Sequence, residues 1–269
     1  MAHEQPDDQS VMLWPSELPA SSPEDDFRPW LDPCLIDTKT ARGAVIVFPG
    51  GGYGGRAPHE GGPIAERFNE AGFHAFVVQY RVAPHRHPAP VLDAARAVRI
   101  VWHRAAEWNV DAARVGICGF SAGGHLAATL AVHAADCQAG VDDEIANTDC
   151  RPDALVLAYP VISSKEFAHE ASIENLLGPD APDDARRKMS LELHVSESTP
   201  PTFLWHTAED GGVAVENSLV FARALSKHDV PFELHVYPHG CHGLGLAPDY
   251  PHVATWMDLC CEWLNGMGW

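Results

Sequence analysis

The stretch Gly116-Ile117-Cys118-Gly119-Phe120-Ser121-Ala122-Gly123-Gly124-His125 decides how this chain reads. A short, mostly apolar run, Arg114-Val115-Gly116-Ile117-Cys118, leads into Gly-x-Ser-x-Gly at 119–123, and an Ala- and Leu-rich run follows at 126–135. That order predicts strand, sharp turn, helix. A serine on so tight a turn takes up a strained backbone. Glycines two residues to either side give neighbouring chain room while the hydroxyl stands above the sheet. The other reading of the same residues is a Gly-rich turn whose serine caps the next helix. What separates the two is the company Ser121 keeps elsewhere.

Upstream, Ala44-Val45-Ile46-Val47-Phe48 is a continuous apolar run of the kind buried on both faces of a sheet. It ends in Pro49-Gly50-Gly51-Gly52-Tyr53-Gly54-Gly55, with a helix predicted over 62–71. So many glycines after a buried strand let backbone amides approach a ligand closely. The spacing is neither Gly-x-Gly-x-x-Gly nor a phosphate loop with Gly-Lys-Ser/Thr, and an oxyanion-binding loop fits it better. A strand is predicted at 74–80. Next comes a proline-rich loop whose His85 and His87 lack a third metal ligand at matching spacing. Apolar residues recur at helical spacing over 91–108.

Downstream, 137–152 is polar and Asp-rich, 154–159 reads as a buried strand, and 161–199 lacks strand periodicity. That last segment is expected to be an insertion of short helices over the active face, a lid or cap. Its Arg186-Arg187-Lys188 reads as a solvated helix face. Strands at 202–207 and 232–237 flank a helix at 215–228, and a final helix is expected at about 252–264. Residues 1–40, rich in Pro, Asp and Ser, form an N-terminal arm or edge strands from the islands Val11-Met12-Leu13-Trp14 and Cys34-Leu35-Ile36. The remainder, 41–269, is one domain. Six strands alternating with helices imply an α/β fold with a mostly parallel central sheet and helices on both faces.

Ligands of open parallel sheets bind outside the carboxyl ends of the strands. Gly50 to Gly55, Ser121, Asp210 and His242 all fall at such ends. Their chain order, serine, acid, histidine, is that of one of three unrelated serine-hydrolase architectures. Serine at its own pKa is a poor nucleophile and needs a neutral imidazole to take its proton. That imidazole needs a buried carboxylate on its other nitrogen. Ser121, His242 and Asp210 are the candidates, with Glu209 the rival acid and His239 and His235 the rival bases. The amide of Ala122 and those of Gly51 and Gly52 are the candidate oxyanion hole.

With these residues in view, the chain resembles the α/β-hydrolase superfamily. It is similar to acetyl-esterase and acetylxylan-esterase-like serine esterases and, more distantly, to the hormone-sensitive-lipase group. The resemblance rests on Val47-Phe48-Pro49-Gly50-Gly51-Gly52-Tyr53, Gln79-Tyr80-Arg81-Val82-Ala83-Pro84, Gly119 to His125, and Tyr237-Pro238-His239-Gly240-Cys241-His242-Gly243, and covers about 44–264. Pro49 stands where lipase-like relatives carry histidine. The resemblance implies an α/β-hydrolase fold and a cofactor-independent carboxylic-ester hydrolase with short acyl groups, acetyl on a sugar or xylan-derived oligomer. Triad chemistry is shared with amide-cleaving relatives such as formamidases and peptidases, and a hydrolase fold can also serve as a non-catalytic binding protein.

Composition narrows the partners. Lys and Arg number 18 against 37 Asp and Glu, a net charge of −19, which repels nucleic acid and anionic membranes. The expected partner is a small-molecule or oligosaccharide ester substrate, with no nucleic acid, membrane or cofactor. The polar start, Met1 to Asp8, and the lack of a long apolar run point to a soluble, cytoplasmic protein. Seven irregularly spaced cysteines, with no Cys-x-x-Cys, point to reduced thiols rather than disulfides or zinc.

Overall fold

A computed structural model describes residues 5–14, 18–21, 26–139, 141, 143–146 and 148–269. Residues 1–4, 15–17 and 22–25 of the expected N-terminal arm, and 140, 142 and 147 of the Asp-rich loop, lie outside the described residues. The strands are β1 Val11–Met12, β2 Trp30–Cys34, β3 Arg42–Phe48, β4 His74–Gln79, β5 Val110–Phe120, β6 Ala154–Ala158, β7 Thr202–Thr207 and β8 Phe232–Tyr237. They form one sheet in the order β1-β2-β4-β3-β5-β6-β7-β8. From β4 across to β8 every neighbour is parallel, while β1 and β2 pair antiparallel at one edge.

The helices are α1 Gly62–Glu70, α2 Ala89–His103, α3 Ala122–His133, α4 Glu170–Leu177, α5 Asp183–Lys188, α6 Glu216–Lys227, α7 Pro251–Ala254 and α8 Trp256–Gly266. Because side chains alternate along a strand, each central strand feeds two cores. Ile46 and Phe48 of β3 and Ile117 of β5 join α2, α3 and α6 on one face. Val45 and Val47, with Cys118 and Phe120, join α1 and α8 on the other. Strands buried on both sides are the reason these segments read as unbroken apolar runs.

Several boundaries differ from expectation. Helix α2 stops at His103, and residues 104–108 turn back so that the Trp108 ring lies 5.1 Å from that of Phe76. Strand β5 begins at Val110, where its first residue pairs with Arg42 before a register shift. The closing helix is two, divided at Thr255, whose hydroxyl donates to the His252 carbonyl. Helix α3 starts directly at Ala122 and is buried along most of its length.

At the edge, a buried ion pair fastens the N-terminal segment. Arg81 meets Asp93 through Nε and Nη2 at 2.9 and 2.7 Å, with both side chains fully buried. Trp14 Nε1 donates to the same carboxylate at 2.7 Å, and Arg81 Nη1 donates to the Pro19 carbonyl at 2.6 Å. At the opposite side of the sheet, Trp205 and Trp256 stack with ring centroids 5.1 Å apart. Trp205 in turn meets Tyr159 edge-on at 4.9 Å. No helix among the described residues is long and apolar enough to cross a membrane.

Candidate active site

Ser121 sits between β5 and α3 with φ 52° and ψ −118°, a conformation that L residues rarely adopt. Its amide donates to the Ala158 carbonyl at 3.0 Å, and its carbonyl accepts from the amides of His125 and Val161. The flanking glycines are required by contact. A Cβ on Gly123 would lie 2.1 Å from the Phe48 carbonyl oxygen, and one on Gly119 would lie 2.2 Å from that of Gly123. The helix therefore begins hard against the end of β3, closer than any side chain permits.

The loop after β3 closes over the same point. A Cβ on Gly50 would meet Ser121 Cβ at 2.9 Å. Gly51 and Gly52 take φ of 130° and 64°, and the Gly51 carbonyl accepts from the amides of Gly54 and Gly55. No backbone carbonyl among the described residues accepts from the amides of Gly51 or Gly52. Ala122 is the first residue of α3, where a helix amide has no partner within the helix. The Gly50–Gly52 loop and the N-terminus of α3 thus meet at Ser121, bringing together the kinds of element from which an oxyanion hole can be built. Tyr53 anchors the loop from below, its hydroxyl 2.9 Å from His125 Nδ1, and His125 Nε2–H donates to the Met189 carbonyl at 3.0 Å.

His242 Nε2 lies 2.8 Å from Ser121 Oγ, and Nδ1 lies 2.7 Å from Asp210 Oδ2. Since an ionised carboxylate only accepts, the imidazole carries its proton on Nδ1 and accepts the serine hydroxyl on Nε2. Asp210 follows β7 and its side chain is 1% exposed, against 27% for His242. Its Oδ1 accepts from the amides of Gly212 and Val213 at 2.8 and 2.9 Å. Burial works to raise this carboxyl, but hydrogen bonds from His206, His242 and the Val213 amide outweigh it and hold it well below the usual carboxylate range. Gly212 leaves room for the imidazole, because a Cβ there would be 3.0 Å from His242 Cγ.

The rival residues pair with each other instead. Glu209 accepts from His239 at 2.8 Å, with side chains 58% and 74% exposed, away from Ser121. His235 lies within β8 and pairs with Glu233.

Two parts of the site had no marker in the sequence. His206, inside β7 and fully buried, directs Nε2 at both the Val213 carbonyl, 3.0 Å, and Asp210 Oδ2, 3.3 Å, while Nδ1 meets Ser218 Oγ at 2.8 Å. As the carbonyl can only accept, Nε2 bears a proton, and His206 is a donor behind the acid. Helix α4 forms the facing wall, with Asn175 Nδ2 donating to the Gly52 carbonyl at 2.9 Å. His169 precedes that helix and meets Ser172 Oγ at 2.7 Å; burial, and then the nearby His242, lower its pKa.

Residues 36–225 match the BD-FAE family model. The chain is 40% identical over 227 residues to endo-1,4-beta-xylanase B of Butyrivibrio fibrisolvens, covering 83% of this chain and 36% of that one. It is 31% identical over 240 residues to an acetylxylan esterase of Xylanibacter ruminicola, covering 87% and 48%. The chain therefore spans less than half the length of either curated relative. Among solved structures, the acetyl ester-xyloside bifunctional hydrolase of Caldicellulosiruptor lactoaceticus superposes with a TM-score of 0.93 at 48% identity, covering 96% of both chains. The carboxylesterase Cest-2923 of Lactobacillus plantarum superposes with a TM-score of 0.78 at 27% identity, over 90% of this chain and 94% of that one. By family match, fold and strand-end geometry together, this chain belongs to the BD-FAE family of α/β hydrolases.

Proposed function

We propose that this chain is a serine carboxylic-ester hydrolase that removes short acyl groups, acetyl above all, from xylan-derived sugar esters. The observation that carries the reading is the single imidazole of His242 bridging Ser121 Oγ and Asp210 Oδ2. In the reaction, Oγ attacks the ester carbonyl carbon while its proton passes to His242 Nε2. Asp210 holds Nδ1–H and stabilises the imidazolium. Negative charge arriving on the carbonyl oxygen meets the amides of Ala122, Gly51 and Gly52, each such donor contributing about 3 kcal/mol. The C–O bond then breaks, the leaving alcohol takes the proton from Nε2, and an acyl-enzyme remains on Ser121. Water, deprotonated by the same nitrogen, releases the acid and restores the serine.

The preference for short acyl groups is inferred from the relatives named for acetyl esters, and α4, whose Asn175 donates to the Gly52 carbonyl, walls the oxyanion loop. Residues 161–199 are assigned as the cap that supplies this wall, over the domain formed by 41–269, with 1–40 as its N-terminal arm. The sugar leaving group is inferred from the three relatives named for xylan or xyloside chemistry. A cytoplasmic setting fits Cys241, an exposed free thiol next to His242.

The test is direct. Ser121→Ala is expected to abolish labelling by a fluorophosphonate and nearly all turnover of p-nitrophenyl acetate, and retained labelling would remove Ser121 as nucleophile. The wild type is expected to hydrolyse the acetate ester faster than the octanoate, and to release acetate from acetylated xylo-oligosaccharides while leaving formyl-amide and peptide substrates intact. Faster turnover of the octanoate would remove the short-acyl assignment.

A further inference from the structure

Glu60 belongs to no part of the triad or oxyanion hole, yet it is a carboxylate only 2% exposed within the same rim. It ends a short turn of helix, Pro58–Glu60, that precedes α1. Both of its oxygens are used. Oε2 accepts from the Gly50 amide at 2.7 Å, and Oε1 accepts from the Tyr159 hydroxyl at 2.7 Å. Burial first, and Glu60 beside it, push the Tyr159 hydroxyl far above its ordinary value, so it stays protonated and donates. The same phenol oxygen accepts from the Gly245 amide at 2.8 Å.

Each contact reaches a different piece of the site. Gly50 opens the oxyanion loop and lies against Ser121. Gly245 is three residues beyond His242, and the Tyr159 ring meets the imidazole edge-on at 5.1 Å. Tyr159 itself follows β6 with φ 36°, a left-handed conformation costly for an aromatic residue, and that backbone holds its ring between His242 and Trp205. One buried side chain therefore ties the ends of β3, β6 and β8 together.

We propose that Glu60 is a positioning residue: through Gly50 and Tyr159 it fixes the oxyanion loop and the His242 loop at one separation, so that donors and base address the same carbonyl. A carboxylate is needed because two donors, N–H and O–H, converge on it. Glutamine has the same shape but one acceptor oxygen, and its amide hydrogens would face a donor. The inference rests on the esterase reading above, since it assumes that Ser121 reacts.

The experiment compares Glu60→Gln, Tyr159→Phe and the double variant in p-nitrophenyl acetate hydrolysis. Rates are expressed per serine titrated with a fluorophosphonate, so that unfolded protein does not count. Misplacement of reacting groups by a fraction of an ångström is expected to lower kcat about 10- to 100-fold with KM little changed. Because the two substitutions share the Glu60–Tyr159 contact, the double variant should be slowed by less than the product of the two single effects. A purely structural role would lower the melting temperature and the titratable fraction while leaving kcat per titrated serine at the wild-type value. That outcome in both single variants overturns the proposal. Should Glu60→Gln fail to fold, Tyr159→Phe decides by the same criterion. With Ser121→Ala alongside, full turnover in that variant overturns the esterase reading and this inference together. An inactive Ser121→Ala with unchanged Glu60→Gln and Tyr159→Phe overturns this inference alone.

Discussion

Asp210 receives hydrogen bonds from two amides on one oxygen and two histidines on the other, and only one of those histidines faces Ser121. His206 therefore acts on the base indirectly, by keeping the carboxylate ionised and aimed. His206→Ala is expected to lower kcat about tenfold, the loss of one hydrogen bond to a charged group. It also has a signature in acid. The depressed Asp210 carboxyl adds stability that is complete above its unfolded value, about 3.9, and is lost as pH falls toward its folded value. Removing a donor raises the folded value and shrinks that contribution. The variant should lose its far-UV circular dichroism at a higher pH than the wild type, and coincident acid midpoints would remove His206 from this role. Ser121 was legible because its requirements are local: a strained turn and two close approaches that only glycine satisfies. Glu60 and His206 were not, because an acid after Pro58-His59 looks solvated and a histidine inside β7 looks like filler. Their importance comes from burial and from partners, 10 and 99 residues away for Glu60 and 4, 7 and 12 residues away for His206, that only the fold brings into place.

Among the elements, β3 and β6 were legible as continuous apolar runs, since a strand covered by helices on both faces has no polar side to show, whereas β8, at the sheet edge, carries Glu233 and His235. The two edge strands were obscured for a different reason. β1 is two residues long and β2 contains Pro33, and their pairing depends on β4 as template. What secures this edge is the ion pair beneath it, where Asp93 of α2 accepts from Arg81 and from Trp14. Asp93→Ala strands a guanidinium with no exposure to water and frees the indole of Trp14. The expected cost is about 3–5 kcal/mol, read as a lower urea midpoint. An unchanged midpoint would mean that the edge is held by packing alone. The boundary of α2 was misplaced because apolar residues continue at helical spacing past His103. There Trp108 serves the sheet side of the core from a turn instead of from the helix.

At the scale of the whole molecule, acid works against the fold. His125 is buried neutral, and burial lowers its pKa from 6.5 to about 4. The unfolded chain takes up a proton there that the folded chain refuses, so stability falls as pH drops from about 6.5 toward 4. At about 1.4 kcal/mol per pH unit, this one residue removes on the order of 3 kcal/mol across that window. The melting temperature should decline through the same window, and a His125→Gln variant, though less stable at neutral pH, should show a flatter decline. Equal slopes would assign the effect to other groups. Since Nδ1 of His125 accepts from Tyr53, the same proton that destabilises the fold also releases the oxyanion loop from below. The rings running from Trp256 through Trp205 and Tyr159 to His242 have a separate consequence. An indole pair one phenol away from the imidazole is a local reporter, so a change of charge on His242 is expected to change the emission of Trp205 and Trp256. The chain thereby brings its own dye to a stopped-flow cell.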